Sequence, residues 1–234
     1  HIALMCLLPL LLLVLVRLKF SQLPIGIALI LLSKWRMFAV KPRHWPANIR
    51  ANAVDIIVGL SVLIFMINSA NGPLQLLWAA AYAAWLLFVK PQSSSIGVSA
   101  QALIAQTVGL VALFIELGGA SLYILVIGTW TICYMAARHF FASFDESLNR
   151  YLSATWSYFS SALVWVLGHW LIFYGPVAQP ALLLSVIGFG LGGIYYLEKS
   201  DRSSVVLRRQ IIFVVFAVTT IVLTFSEWGD KAIQ

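Results

Sequence analysis

Long apolar runs, separated at regular intervals by short polar segments, constrain the fold of this chain more than any other feature. Seven of them follow one another from Asn52 onward, and turn residues such as Asn71-Gly72-Pro73 separate neighbouring runs. A helix that crosses a bilayer needs about 20 predominantly apolar residues, and these runs approach or reach that length. The chain is 62% hydrophobic and 10% charged, whereas soluble domains carry about 25% charged residues. We therefore expect an all-α integral membrane protein.

The chain divides near residue 52 into an N-terminal part and a helical core. Residues 52–234 are expected to form a seven-helix transmembrane core, and Pro46 suits the first turn of its first helix. Residues 1–51 are expected to add an anchor helix, a short second segment and a basic cytoplasmic loop. With the anchor, the polytopic bundle has about eight transmembrane helices. The core runs are expected at about 55–70, 74–89, 98–117, 120–141, 151–174, 181–197 and 210–226.

The charge of the connecting segments predicts how the core lies in the membrane. Every second segment is basic, whereas the alternate segments, Asn-Gly, Gly-Gly and Gly-Pro-Val-Ala-Gln, contain no Lys or Arg. Because basic loops stay in the cytoplasm, the seven runs are expected to enter from that side and to leave the C-terminus outside. The basic residues expected inside after the first run are Lys90, Arg138, Arg150, Lys199, Arg202, Arg208 and Arg209.

The N-terminal part is expected to hold one anchor and one segment that does not cross. Residues 2–16 are apolar and are followed by Arg17 and Lys19, which indicates a retained anchor whose C-terminal end faces the cytoplasm. Residues 23–33 are apolar but too few to cross alone. Crossing would also place Arg17 and Lys19 outside. An interfacial or re-entrant helix is therefore expected, with a second span as the alternative.

The basic stretch 34–50 indicates the partners of the cytoplasmic face. A net charge of +7 would favour nucleic acid in a soluble protein, but here the basic residues lie between apolar runs. We expect membrane lipids with anionic headgroups, and no nucleic acid; membrane-protein partners or a homo-oligomer are left open. The expected location is a bacterial-type cytoplasmic membrane. The stretch has no acid and holds Lys34, Trp35, Arg36, Lys41, Arg43, Trp45 and Arg50.

Motifs for known catalytic or metal chemistry are missing from the sequence. It contains no HxxxH or HExxH pair, no GxSxG elbow and no GxxxxGK[ST] loop. Cys6 and Cys133 are far apart and lack metal or redox spacing. We expect no cofactor and no metal, and a non-catalytic protein is favoured over an enzyme. A weaker alternative is an intramembrane enzyme that acts on lipid headgroups with His139, Asp145 and Glu146.

Two local patterns favour structural roles. The sequence Ser-Phe-Asp-Glu from Ser143 to Glu146 fits a capping box that would begin a helix. Gly188 and Gly192 lie four residues apart on one helix face, where small residues let neighbouring helices approach closely.

Polar residues within or beside the apolar runs are the candidate binding residues. Gln106 lies near mid-membrane, where its amide is expected to bridge to Ser or Thr on another helix or to contribute to a site. Glu116 and His169 share a depth near the outer face, which predicts a titratable pair suited to a cation or proton. Asp55 is expected to pair with a loop Arg. The candidate substrate- or ion-binding residues are Glu116, His169, Gln106, Asn68 and Tyr174, and the polar residues of the cytoplasmic face are Asp55, Arg138 and His139.

Two classes of function remain from the sequence. The first is a small transporter- or channel-type protein with a site between helices. The alternative is a non-catalytic membrane subunit or scaffold that binds lipids or partner helices. A water-filled cavity that reaches Gln106 would favour transport, whereas a continuous apolar interior would favour the scaffold.

Overall fold

The computed structural model describes residues 2–19, 22–170, 173–174 and 176–226 and is 82% helical. A short antiparallel hairpin of β1 (Phe173–Tyr174) and β2 (Val177–Ala178) joins α7 to α8. Short 3-10 turns at Trp35–Met37 and Pro42–His44 connect α2 to α3, and α4 continues as a π-helical turn at Trp85–Val89. The helices are α1 Ile2–Leu18, α2 Gln22–Leu32, α3 Trp45–Ile67, α4 Gly72–Ala84, α5 Ser95–Leu117, α6 Leu122–Ala142, α7 Asn149–Leu167, α8 Gln179–Lys199 and α9 Val205–Phe225.

Six helical segments of the described chain are long and apolar enough to cross a membrane. The all-α class is therefore confirmed, and so is the presence of several span-like helices. The predicted count of about eight is not confirmed, because α1 and α2 are shorter and α7 is more polar than these six. The six are Pro42–Ile67, Gly72–Val89, Ser95–Leu117, Leu122–Ala142, Gln179–Lys199 and Val205–Phe225.

From α3 onward, successive helices run antiparallel. Lys90, just after the end of α4, pairs with Asp55 in the first half of α3. Lys199 at the end of α8 pairs with Glu146, which precedes α7. We call the end of the bundle that holds these two ion pairs the basic end. The other end, where β1 and β2 join α7 to α8, we call the hairpin end.

The first two helices are arranged differently from the sequence-based expectation. Gly26 of α2 lies against Leu63 of α3, while Lys34, just after α2, pairs with Asp55. α2 therefore lies lengthwise along α3, which does not agree with the interfacial form of the expected helix. Arg17, at the end of α1, packs against Gly72 at the start of α4, so it lies at the hairpin end. The predicted placement of Arg17 beside the basic loop is wrong for the same reason.

Protein contacts explain how so short a helix as α2 can be accommodated in the bundle. Ile30 is fully buried, and it belongs to an apolar cluster with Leu63 and Met66 of α3 and Tyr82 of α4. A Cβ on Gly26 would overlap the Leu63 side chain, so glycine is what permits this close approach. The charges of the loops cannot predict this packing of α2 on α3.

The connection between α6 and α7 also departs from expectation. Ser143 is the C-cap of α6, its hydroxyl donates to the Phe140 carbonyl at 2.7 Å, and α7 begins only at Asn149. The predicted capping box is therefore wrong. Asp145 adopts a left-handed backbone conformation with φ of 49°, so the helical conformation cannot continue from α6 into α7. At its other end α7 stops at Leu167, before the predicted residue 174, because the hairpin follows.

α7 packs closely on α6 through a stripe of small hydroxyl side chains. Ser157 donates to the Ser153 carbonyl at 2.7 Å and Ser160 to the Trp156 carbonyl at 2.8 Å, so these hydroxyls are satisfied on their own helix. Ser161 donates across the interface to the Val126 carbonyl of α6 at 3.3 Å. Small side chains with internal hydrogen bonds allow the two backbones to approach. This contact fixes which face of α7 is left for α8.

Candidate functional site

A cavity of about 460 Å³ lies between α5, α6, α7 and α8 in the half of the bundle towards the basic end. The lining residues of α7 are spaced three or four apart, so they form a stripe on that helix beside its serine-rich face. Phe159 of α7 and Leu191 of α8 flank the opening and are 44% and 56% exposed. The lining is almost entirely apolar and consists of Ala102, Leu103, Gln106, Ala136, Ala137, Phe140, Phe141, Leu152, Thr155, Trp156, Phe159, Ile187, Gly188, Leu191, Gly192 and Tyr195.

The glycine pair of α8 helps to form this cavity. A Cβ on Gly192 would lie 3.6 Å from Phe140 and 3.7 Å from Leu103, an ordinary contact distance, so the missing side chain leaves space. The expected close packing at this pair therefore does not apply to Gly192, whereas Gly188 does let α5 and α8 pack closely through the Gln106 side chain. Close helix packing also occurs on another face of α8, where a Cβ on Gly190 would overlap Val215 of α9.

Gln106 closes the inner end of the cavity, as a buried amide with two partners. Its Nε2 donates to the Leu184 carbonyl at 3.1 Å, and its Oε1 accepts from Trp156 Nε1 at 2.9 Å. A Cβ on Gly188 would lie 2.5 Å from the same Nε2, so glycine is needed for the amide to reach α8. The expected bridge to Ser or Thr is replaced by a bridge between α7 and α8. The remaining surface of the cavity therefore presents few free polar atoms.

The end of the cavity nearest the basic end carries its only titratable side chain within the described lining, Tyr195. The Tyr195 hydroxyl donates to Glu146 Oε2, and Lys199 Nζ lies 2.9 Å from the same oxygen. Hydrogen bonds from Tyr195, from Lys199 and from the Leu148 backbone lower the pKa of Glu146 to about 2, so the carboxylate stays charged. The apolar cavity thus ends at a pair of opposite charges beside an aromatic ring.

His139 faces away from that pair. Its Nε2 lies 2.9 Å from Gln101 Oε1, and because an amide oxygen only accepts, the imidazole is the donor. The Gln101 amide in turn donates to three carbonyls at the end of α4, those of Val89, Lys90 and Gln92. No described hydrogen bond or ion pair links His139 with Glu146, so the catalytic trio considered from sequence is not assembled.

Arg138 contributes to the same end of the bundle through its backbone. Its carbonyl accepts from Asn149 Nδ2 at 3.4 Å, which joins the end of α6 to the start of α7.

Asp55 is the centre of a buried charge cluster at the basic end. The residue is 6% exposed, and its Oδ2 contacts the ammonium groups of both Lys34 and Lys90, the latter at 2.6 Å. Its Oδ1 accepts from Trp85 Nε1 at 3.0 Å. The expected Arg partner is therefore replaced by two lysines. We call Lys34, Asp55, Trp85 and Lys90 the Asp55 cluster.

The π-helical turn explains how α4 supplies two members of this cluster. The Lys90 N–H donates to the Trp85 carbonyl at 2.8 Å, a bond between residues five apart. In an α-helix such residues point in different directions, whereas a π-turn brings them closer to one side. Sequence patterns gave no signal for this turn. The alternation of loop charge grouped Lys90 with Lys199, and both lie at the basic end.

The candidate residues of the hairpin end do not form one site. Asn68 Nδ2 lies 3.4 Å from Glu116 Oε2 and also donates to the Ile64 carbonyl at 3.0 Å. His169 Nδ1, in the turn after α7, lies 2.6 Å from the Trp165 carbonyl of that helix. Among the described residues no ion pair joins Glu116 to His169. The Tyr174 side chain lies outside the part of the protein that the structure describes.

Comparison with known proteins gives no match: no protein-family model, no curated protein and no solved structure is similar to this chain.

Proposed function

We propose that this chain is a multi-pass membrane protein of the carrier type that takes an amphipathic, lipid-like molecule from the bilayer into the cavity between α7 and α8. The cavity of about 460 Å³, which reaches Gln106, carries this proposal. Its volume lies within the range of about 300–1,000 Å³ that is common for small-molecule sites.

The membrane setting is supported by six span-like helices and by the antiparallel order of the bundle. We include α1, α2 and α7 among the crossing helices, because α1 and α2 lie along the others and the serines of α7 are satisfied internally. This gives nine crossings within the described part of the chain. With the basic end in the cytoplasm, the end of α9 lies outside.

The walls of the cavity favour an apolar ligand over an ion. A hydrated ion that entered the cavity would lose water and meet an apolar lining, which is costly. The Gln106 amide could not replace that water, because it already bonds to Leu184 and Trp156. An acyl or isoprenoid chain makes no such demand. The exposed Phe159 and Leu191 at the opening would face the hydrocarbon of a bilayer, so a chain can enter sideways.

The polar end of the cavity suits a headgroup. Glu146, Tyr195 and Lys199 lie where α7 begins and α8 ends, the region that would meet the membrane interface. A ligand with its chain towards Gln106 would therefore have its polar group beside these residues. Two alternatives were considered from sequence, a water-filled cavity that reaches Gln106 and a continuous apolar interior. The cavity reaches Gln106, but its lining is apolar, so it matches neither alternative completely.

Filling the opening tests the proposal. Thr155 and Ala154 are adjacent exposed residues of α7, but only Thr155 lines the cavity. We expect Thr155→Trp to reduce strongly the crosslinking of a diazirine-bearing phospholipid to the lining peptides of α5–α8, with the purified chain in nanodiscs. Ala154→Trp adds the same bulk to the same helix and should leave crosslinking unchanged. Equal labelling of wild type and both variants would show that lipid only coats the surface, and it would end the proposal.

A further inference from the structure

We propose that Lys34 and Lys90 form a second binding site, separate from the cavity, for a phosphate group at the basic end of α2, α3 and α4.

The charges of the Asp55 cluster do not balance. Two ammonium groups meet one carboxylate, and among the described residues no second acid pairs with either lysine. Both lysines contact the same oxygen of Asp55, while the other oxygen is occupied by Trp85. The cluster therefore retains one excess positive charge in a largely buried position, where an uncompensated charge is costly.

The two ammonium groups also retain unused donors. Each has three N–H bonds and uses one on Asp55, so most of their donors remain for an anion. Because both groups lie at one carboxylate oxygen, they are neighbours, and an anion with several oxygens can accept from both. Burial lowers the pKa of Lys34 despite the attraction of Asp55, so a second anion would favour its protonated form.

The two lysines differ in their exposure to solvent. Lys34 is 9% exposed, whereas the Lys90 side chain is 38% exposed and follows the π-helical turn. An anion would thus approach past Lys90 and meet Lys34 behind it. Trp35 and Trp45, both exposed at the same end, are residues typical of the membrane interface, where lipid phosphates lie.

Phosphate is the anion that fits this arrangement best. It carries several strong acceptor oxygens at one centre, and lysine binds it as a compact point charge without the planar geometry that arginine requires. Such a group comes either from the headgroup of an anionic lipid or from soluble phosphate, and the chemistry at the two lysines is the same.

The test compares the full-length chain with charge-matched variants in phosphate-free maltoside micelles. Native mass spectrometry measures the binding of phosphatidic acid, and inorganic phosphate is then added as a competitor. We expect Lys90→Gln to weaken binding by about tenfold, because a charge-assisted hydrogen bond is lost. Lys41→Gln removes the same charge from an exposed position at the same end and should change binding little. Lys90→Arg should retain most of the affinity.

Each outcome bears on the proposal. Competition by inorganic phosphate would mean that the site accepts the free anion as well, and lack of competition would mean that it binds the phosphate of a lipid. Equal affinity of Lys90→Gln and wild type, or an equal loss in Lys41→Gln, would overturn the proposal in favour of diffuse attraction. If Lys90→Gln fails to fold, the same comparison with Lys34→Gln, which leaves Lys90 paired with Asp55, gives the same decision.

Discussion

Asp55 links its own helix, α3, to the end of α2 and to the π-helical turn after α4. Its carboxylate contacts Lys34 after α2, Trp85 in the π-helical turn and Lys90 beyond it. A buried carboxylate is tolerated only where charged or hydrogen-bonding partners replace water. At the scale of single residues, this cluster is therefore the principal polar link between α2, α3 and α4.

The first prediction concerns the loss of that link. Because Asp55→Asn leaves the buried Lys34 ammonium group without a carboxylate, we expect it to lower the free energy of unfolding by about 3–5 kcal/mol. Denaturant unfolding of the purified protein in detergent measures the change. Asp145→Asn is the matched control, since Asp145 is exposed and asparagine tolerates its left-handed backbone. Equal stability of the two variants would show that the Asp55 cluster contributes little.

The sequence placed Gln106 near mid-membrane and Asp55 at the cytoplasmic face, where water would reach it, whereas the structure buries both side chains. It could not supply the partners of either residue. Burial depth follows from position in an apolar run, which can be seen in the sequence. The partners Trp156 and Lys34 depend on the order of helices and on the rotation of each about its axis. Equal depth in the membrane therefore predicted that Glu116 pairs with His169, whereas in the structure Glu116 lies beside Asn68.

At the scale of helices, local signals were more reliable. Turn residues and apolar runs predicted α5, α6 and α8 to within a few residues, because both mark where helical hydrogen bonding must end. α2 was different, since its length and flanking charges suggested a helix at the interface. Its actual position depends on packing against α3, which no local pattern records.

The second prediction concerns α2. We expect Gly26→Leu to lower the free energy of unfolding by about 1–3 kcal/mol, because its side chain would overlap Leu63 and push α2 from α3. Ala28→Leu adds a leucine at an exposed position of the same helix and should have little effect. Thermal unfolding in detergent gives the comparison. Similar behaviour of the two variants would indicate that α2 does not pack lengthwise on α3.

For the whole molecule, the alternation of loop charge agrees with the antiparallel order from α3 to α9, but it misplaced the end of α1 relative to the basic loops. The basic residues of the later loops all lie at one end of the bundle, so the rule had many consistent observations there. Arg17 is an exception, because it lies at the hairpin end beside Gly72, and Lys19 follows it two residues later. The charge rule treated Arg17 as evidence for a cytoplasmic loop, although the packing of α1 and α2 determines where Arg17 lies.

The last prediction tests the orientation of the complete bundle by cysteine labelling in intact cells. The background is a chain with Cys6→Ser and Cys133→Ala, into which Leu18→Cys, Gly119→Cys or Gln92→Cys is introduced singly. Leu18 and Gly119 lie towards the hairpin end and Gln92 at the basic end, and all three are exposed. With the basic end in the cytoplasm, a membrane-impermeant maleimide should label the first two directly and Gln92→Cys only after permeabilisation. If only Gln92→Cys is labelled in intact cells, the bundle has the opposite orientation in the membrane. Protection of Leu18→Cys with labelling of Gly119→Cys would contradict the crossing of α2, because the end of α1 would then lie with the basic loops.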